Sequence, residues 1–569
     1  MNQTRTFLLF AWALVGFLIW QAWQVDYHTP VSDQLPTTQA SVESANAELP
    51  EFTDDASLPA AEPIAPNAAV SDAELPPVES SSEPSLNREP VVITTDVLRL
   101  TIDPRGASIV RAELLNYPET TKRGAPSVEL FSQLAGHEFS AQAGWRSSKG
   151  TSPTHQQLFS SQAKSYTLEP GAARIEVPFR WRDAAGLELT KTFVFERGSY
   201  VIAMQEVLQN GSEQTWRGYA YRQMMRQPPP SKGGGMTNPE AYSFVGAAWY
   251  SPSEKFNKLK FDDIDPKEPL NSAGQGGWVA MLQHYFFAAW IPDPSEASRF
   301  GTAVVQGRYY IRSAAPVIEI ASGATQQSTT RLYVGPKLQE HLAGVAPGLE
   351  RTIDYGILTL LAEPLFWLLS FFHTLTGNWG WAIILLVVVI KAAFFKLSEA
   401  QYKSFAKMRA VQPRIEALKE RYGEDKQKFN LAMMELYKKE KINPMGGCLP
   451  ILVQIPVFIS LYWVLLESVE LRHAPWILWI TNLSAPDPFF VLPVLNLLTM
   501  WFTQKLSPSP GMDPMQKKIM TYMPLVFGVM FAFFPAGLVL YWTVNGGLGL
   551  LQQWFINKRH GGPTPAKVA

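Results

Sequence analysis

Cysteine is nearly absent: Cys448 is the only one in 569 residues, so no internal disulfide can form. It also lacks the paired Cys/His spacing of a zinc site, and beside an apolar run it reads as a small packing residue. An excess of either charge is missing too. With 49 Lys and Arg against 50 Asp and Glu, the net charge is −1, which excludes a nucleic-acid binder of the usual basic kind and leaves only a local patch for any RNA contact. No phosphate loop is present. The glycine-rich Lys232-Gly233-Gly234-Gly235 follows Pro228-Pro229-Pro230 without a strand before it or a helix after it, and reads as a flexible connection. His137, His155 and His284 stand far apart and belong to no metal or nucleophile motif. These absences point away from an enzyme and imply no catalytic residue, no metal and no cofactor.

What is present divides into two kinds of chain. A mean hydropathy near zero with 46% hydrophobic residues mixes long apolar runs with a polar half. Phe7 to Val25 is an uncharged run of membrane-spanning length behind Arg5, longer than a signal-peptide core, and reads as a retained anchor over 1–25. The chain then carries no Lys or Arg between Asp26 and Asn87, so the positive-inside rule places the N-terminus in the cytoplasm. Residues 26–89 are rich in Pro, Ser, Ala and acids and poor in aromatics, the composition of a solvated acidic tether. From Glu89-Pro90 alternation takes over. VVITTDVLRLTID and SIVRAELLNYP flank the turn Asp103-Pro104-Arg105-Gly106, and RIEVPFRW and LELTKTFVFERGSYVIAMQEVLQN flank a turn at Asp183 to Gly186. Residues 90–346 are therefore predicted to form one antiparallel β-sandwich.

After Pro347 the period becomes helical. Ile353, Tyr355, Leu358, Leu361, Leu365, Leu368 and Leu369 predict an amphipathic interfacial helix within 347–378, broken at Pro364. The next stretch, Trp379 to Leu397, rises roughly 27 Å, close to the ~30 Å of a hydrocarbon core, yet holds Lys391 roughly 9 Å from its end. An ammonium at that depth costs on the order of 2.5–3.5 kcal/mol and usually faces a bundle interior or wet cavity; the alternative is snorkelling toward the headgroups beside Lys396. Residues 398–445 carry an excess of basic residues, among them Lys403, Lys407, Arg409, Arg414, Lys419 and Arg421, which marks a cytoplasmic loop. Two apolar stripes, Phe405 to Tyr422 and Phe429 to Tyr437, predict a helical hairpin turning at Gly423-Glu424-Asp425 whose charges could meet the ribosome.

Four further uncharged spans lie within 446–556: Cys448 to Leu466, Pro488 to Gln504, Ile519 to Phe534 and Leu538 to Ile556. A short basic tail, 557–569, follows. The charge bias of the loops gives six spans with both termini inside. Pro535-Ala536-Gly537 predicts a tight outer turn and a terminal hairpin of spans. Pro450, Pro456, Pro493 and Pro524 predict kinks, and Gly546, Gly547 and Gly549 close helix packing.

Several segments carry a resemblance that periodicity cannot supply: GNWGWAIILLVVVIKAAFF, LSEAQYKSFAKMRAVQPRIEALKERYG, NPMGGCLPILVQIPVFISLYWVL, DPMQKKIMTYMPLVF and FPAGLVLYWTVN. Covering Asp354 to Ile556, they resemble the YidC/Oxa/Alb family of membrane protein insertases, in its Gram-negative form with a large periplasmic domain. The resemblance implies a five-helix core after the anchor, a periplasmic β-supersandwich, and a hydrated groove open to cytoplasm and lipid but closed toward the periplasm. It also implies nascent membrane proteins, the SecYEG translocon and the ribosome as partners, the lipid bilayer as medium, and no DNA. The family's groove cation is an arginine where this chain has Lys391, and a lysine is a point charge without the bidentate fork. Gln454, Thr499, Thr521, Thr543 and Asn545 are polar candidates for the groove lining, each equally suited to bonding between helices. A secondary transporter and an envelope enzyme with a catalytic β domain are the alternatives.

Overall fold

The computed structural model describes residues 89–147, 151–229, 243–422, 425–440, 442, 449–506 and 514–559. The predicted anchor, the acidic tether before Glu89, the Lys232 to Gly235 connection, Gly423, Glu424, Cys448 and the tail beyond Arg559 lie outside the described residues.

Alternation of apolar and polar residues decides the first half. In the strand Arg174–Arg182, Val177, Phe179 and Trp181 are buried while Arg174, Arg180 and Arg182 are exposed, the period of two that a half-buried strand requires. It pairs antiparallel with Leu187–Glu196, Arg182 opposite Glu188. The Asp183 carboxylate closes the predicted turn by accepting the Leu187 N–H at 2.8 Å, and Gly186 supplies a φ of +95°. Strands from Val91 to Pro336 assemble in this way into an eleven-stranded and a nine-stranded sheet. One pairing is parallel, Val91–Thr94 with Ser165–Thr167. Ile109, Trp145 and Met224 from one sheet and Phe193, Phe195 and Trp290 from the other share one core, which makes the pair a sandwich.

The nine-stranded sheet is buried on its other face as well. Trp278–Leu282 and Phe286–Ile291 are buried at every position. Val279, Met281, Ala288 and Trp290 point into the sandwich, whereas Ala280, Leu282, Phe287, Ala289 and Ile291 join a second core shared with the helices.

That second core begins at α1 (Gln339–Val345) and the 3-10 turns Leu349–Thr352 and Gly356–Leu358. Ile353 and Tyr355 are buried there, ahead of the amphipathic helix rather than on its stripe. The helix itself, α2, runs Thr359–Thr376 and continues through Pro364 in its second turn, where the missing N–H leaves the Leu360 carbonyl without its helical donor. Its outer face exposes Leu360, Trp367, Phe371 and Leu375.

The remaining helices are α3 (Trp379–Ala393), α4 (Phe395–Ala410), α5 (Gln412–Tyr422), α6 (Lys426–Lys439), α7 (Leu449–Glu467), α8 (Val491–Leu506), α9 (Pro514–Phe531) and α10 (Ala536–Arg559). Among the described residues no single helix is long and apolar enough to cross a membrane; Trp379–Ala393 and Phe395–Phe405 pass together, bent by 66° at Phe394. The stretch predicted as one span thus divides. No proline or glycine marks that bend, which is set by how α4 packs on α10.

Four other expectations are corrected. Ala536 and Gly537 belong to the first turn of α10, so the chain reverses over 532–535. α9 and α10 each pack on α8 and meet at their turn through Phe531 and Trp542, ring centroids 4.4 Å apart, instead of lying together as a plain hairpin. Pro493 stands in the first turn of α8, where a missing N–H costs little, whereas Pro456 lies inside α7 and its carbonyl accepts the Ser460 hydroxyl at 2.8 Å. In the basic segment the first predicted helix breaks at Val411, and α5 pairs with α6 over Val411, Ile415, Tyr437 and Ile442.

Candidate functional site

Lys391 sits in the last turn of α3, partly buried, where α10 crosses α3 and α4. Gly549 of α10 lies beside it. A Cβ at that position would lie 3.7 Å from Lys391 Nζ and 3.6 Å from the Tyr402 hydroxyl. Tyr402, from α4, donates its hydroxyl to the Gly549 carbonyl at 3.1 Å, and Gln552 donates Nε2 to the Lys391 carbonyl at 3.3 Å. The Gln552 Oε1 is buried without a hydrogen-bond partner among the described residues. Among the described residues no carboxylate lies within 4.0 Å of the Lys391 ammonium. The result is a cation held between three helices with polar neighbours that do not neutralise it.

The other predicted lining residues separate into two groups. Thr543 donates to the Val539 carbonyl at 2.7 Å and reaches the Leu492 carbonyl at 3.3 Å, and Thr499 donates to the Asn496 carbonyl at 2.8 Å. A Cβ on Gly546 would lie 2.7 Å from the Thr499 oxygen, so both threonines are packing residues of the α8–α10 contact. Gln454 and Asn545 are partly buried and Thr521 is exposed. Gly547 has open space around its Cα and a Cβ on Gly549 would make ordinary contacts, so of the three glycines only Gly546 is needed for close packing.

Tyr402 and Gln552 were not among the predicted groove residues. Tyr402 was hidden in a polar helix beyond the bend, but Gln552 is three residues after Gly549 on one helical face, one of two adjacent glutamines in an apolar run, and that spacing could have found it. In the basic segment Lys403 pairs with Glu399 at 3.0 Å and Arg414 with Glu440 at 2.5 Å. Arg421 lies over the Tyr422 ring at 5.4 Å, and Lys407 is exposed.

Comparison with known proteins decides the family. Residues 90–368 match the YidC periplasmic domain model and residues 371–562 the 60Kd inner membrane protein model. Membrane protein insertases YidC of Stenotrophomonas maltophilia strain R551-3 and Xanthomonas campestris pv. campestris strain 8004 are 47% and 46% identical, over 100% of this chain and 99% of each relative. The chain belongs to the YidC family of membrane protein insertases. It is therefore an inner-membrane insertase with a periplasmic β domain, not an enzyme, and the transporter and enzyme alternatives fall away. The solved structure of an active YidC insertase with its first transmembrane domain resolved aligns over 83% of this chain and 93% of that one, at 16% identity and a TM-score of 0.36, a superposition too loose to argue from.

Proposed function

We propose that this YidC-family chain inserts nascent membrane proteins through a hydrated groove centred on Lys391, open to cytoplasm and lipid and closed toward the periplasm. The observation that carries the reading is the uncompensated Lys391 ammonium between α3, α4 and α10. A charge at such depth persists only where it is used or reaches water. It attracts the acidic flank of a substrate while the flank's hydrophobic segment slides along exposed apolar helix faces such as Val494, Leu498, Tyr522 and Val526. Tyr402, Gln552, Gln454, Asn545 and Thr521 offer the flank hydrogen bonds, and Thr499 and Thr543 hold the wall. Transfer of the apolar segment into lipid, about 25 cal/mol per Å² of apolar surface, drives the step, with the membrane potential acting on acidic flanks.

In this reading six spans place both termini in the cytoplasm, the second being the bent pair α3 and α4. The C-terminal end of α4 and the α5–α6 hairpin are cytoplasmic, and the basic residues Lys403, Lys407 and Arg409 of α4 and Arg414, Lys419 and Arg421 of α5 face the ribosome; Lys403 and Arg414 first have to give up internal ion pairs. SecYEG is the partner for larger substrates.

The test uses liposomes containing only this protein and two single-spanning substrates that differ only in flank charge. The parent inserts both, and Lys391→Glu loses the acidic-flank substrate at least tenfold while the neutral one falls less. Equal insertion of both by Lys391→Glu overturns the cationic groove and leaves snorkelling as the role of the lysine.

A further inference from the structure

The loop between α7 and α8 is a hydrogen-bonded turn that leaves several large apolar side chains exposed. The Leu483 N–H donates to Ala474 at 2.9 Å, Trp476 to Ile480 at 2.9 Å and Ile480 to Ile477 at 3.1 Å, which leaves Ile477 and Leu478 at the tip. Asn378, the N-cap of α3, fastens that turn to the helix. Its Oδ1 accepts the Gly380 and Trp381 N–H groups while its Nδ2 donates to the Pro475 and Trp476 carbonyls at 3.2 and 3.0 Å. Gly380 is required beneath it, since a Cβ there would meet the Trp476 ring at 2.0 Å. Buried Asp487 builds the second corner by accepting from Trp479 Nε1 and from the Phe489 and Leu492 N–H groups at 2.8 to 3.0 Å.

Despite this order, Leu478 is 77% exposed and Phe489 67%, with Ile477 and Phe490 also open. Leu478 and Phe490 hold φ of 54° and 56°, a conformation that large side chains avoid. A strained backbone that presents leucine and phenylalanine to water has no local gain to explain it. The surface is continuous with exposed Trp381 on α3, which lies edge-on to Trp476 at 5.9 Å, and with Val494 and Leu495 on α8. On its other side the same loop meets the periplasmic domain, where Arg472 donates to the Glu119 carbonyl at 3.3 Å.

We propose that the Ile477–Leu478 tip and the Phe489–Phe490 corner form a preformed wedge that sits in the acyl–headgroup boundary of the periplasmic leaflet of the lipid bilayer. Tryptophans concentrate at such a boundary, and Trp476, Trp479 and Trp381 stand beside the wedge, the Trp479 N–H bonded to Asp487. The inference rests on the membrane placement of α3 and α8.

The test places one NBD-labelled cysteine at a time in a full-length Cys448→Ser background, at Leu478, Phe489, Leu385 or Glu213, in phosphatidylethanolamine–phosphatidylglycerol vesicles. Leu385 is an exposed apolar residue of α3 and Glu213 a polar residue of the β domain. Labels at Leu478 and Phe489 should be quenched by shallow doxyl lipids at least threefold more than Glu213 and should be shielded from iodide. Quenching at Leu385 with iodide access at Leu478 and Phe489 overturns the wedge while sparing the membrane reading. Shielding of Leu478 and Phe489 from both quenchers means that protein covers the loop, which also overturns it. No lipid quenching at Leu385 overturns the membrane placement itself.

Discussion

At the scale of single residues, two buried charges behave differently because their surroundings do. Lys391 has room and polar neighbours but no carboxylate, so a cation of another shape should serve. Lys391→Arg is expected to retain insertion within about twofold, because the guanidinium keeps its charge and needs only slightly more water. Lys391→Ala should fall between parent and Lys391→Glu on acidic-flank substrates, since it removes both the attraction and the cost of the buried charge; insertion yields at matched protein levels check the order. Glu470 stands instead in a closed junction. Its Oε1 accepts the Gln339 N–H at 3.3 Å, its Oε2 has no partner among the described residues, and burial pushes its carboxyl up to about 7. A raised carboxyl stabilises fully below its unfolded value near 4.5, and that contribution is lost as pH rises through about 7. His284, held down to about 3 by burial, works in the opposite direction as pH falls below 6.5. The comparison that isolates Glu470 is therefore with Glu470→Gln: the parent should lose about 2 kcal/mol relative to the variant between pH 5 and pH 8 in equilibrium unfolding. An unchanged gap across that range would place Glu470 in water.

At the scale of elements, the start of α3 is the joint most sensitive to a single atom. Gly380 lies against the Trp476 ring, so Gly380→Ala must displace the tryptophan by which the α7–α8 loop packs on α3. The expected cost is about 1–3 kcal/mol, the range for overpacking, with little change at Gly547→Ala, where space is open. Thermal unfolding in detergent distinguishes the two; equal losses would show that helix propensity rather than packing sets the effect. The bend at Phe394 belongs to this scale as well. Tyr402→Phe removes the hydroxyl that bonds the Gly549 carbonyl and should cost about 1 kcal/mol while leaving α4 helical, as circular dichroism would show.

For the whole molecule, the β domain and the helices share one core. Tyr250, Trp278, Phe287 and Tyr333 of the sheet pack with Ile353, Tyr355 and Leu471, and the His284 ring lies 3.1 Å from the Leu466 carbonyl. Deleting Thr94 to Gly335 uncovers that surface. The deletion should keep most insertion activity, because Lys391 and its neighbours lie on α3, α4 and α10, but should lower the unfolding temperature by at least 5 °C. Complete loss of activity in a folded, membrane-inserted deletion variant would move the function into the β domain. Orientation is tested by single cysteines in Cys448→Ser. An impermeant reagent added outside should label Thr481→Cys and not Glu420→Cys, both exposed positions; the reverse pattern would invert the six-span reading.

Much of this was legible in residue order alone, because it depends on period and composition. Alternation in Arg174–Arg182 specifies a half-buried strand wherever it folds, an unbroken apolar run containing one lysine marks that lysine, and long local motifs carry the family resemblance. Tertiary structure decided what depends on a second surface. Two inner strands of the nine-stranded sheet, Trp278–Leu282 and Phe286–Ile291, are buried on both faces, so alternation vanishes and nothing local says that helices cover them. Ile353 and Tyr355 fit a helical stripe in spacing, yet the sheet claims them first. Gly546, Gly547 and Gly549 look alike in sequence, and only the helices facing them show that a Cβ would clash at Gly546, make ordinary contacts at Gly549 and meet open space at Gly547. Tyr402 comes to the Gly549 carbonyl, beside Lys391, because α3 and α4 meet at 66° without a proline or glycine to announce it and α4 packs on α10.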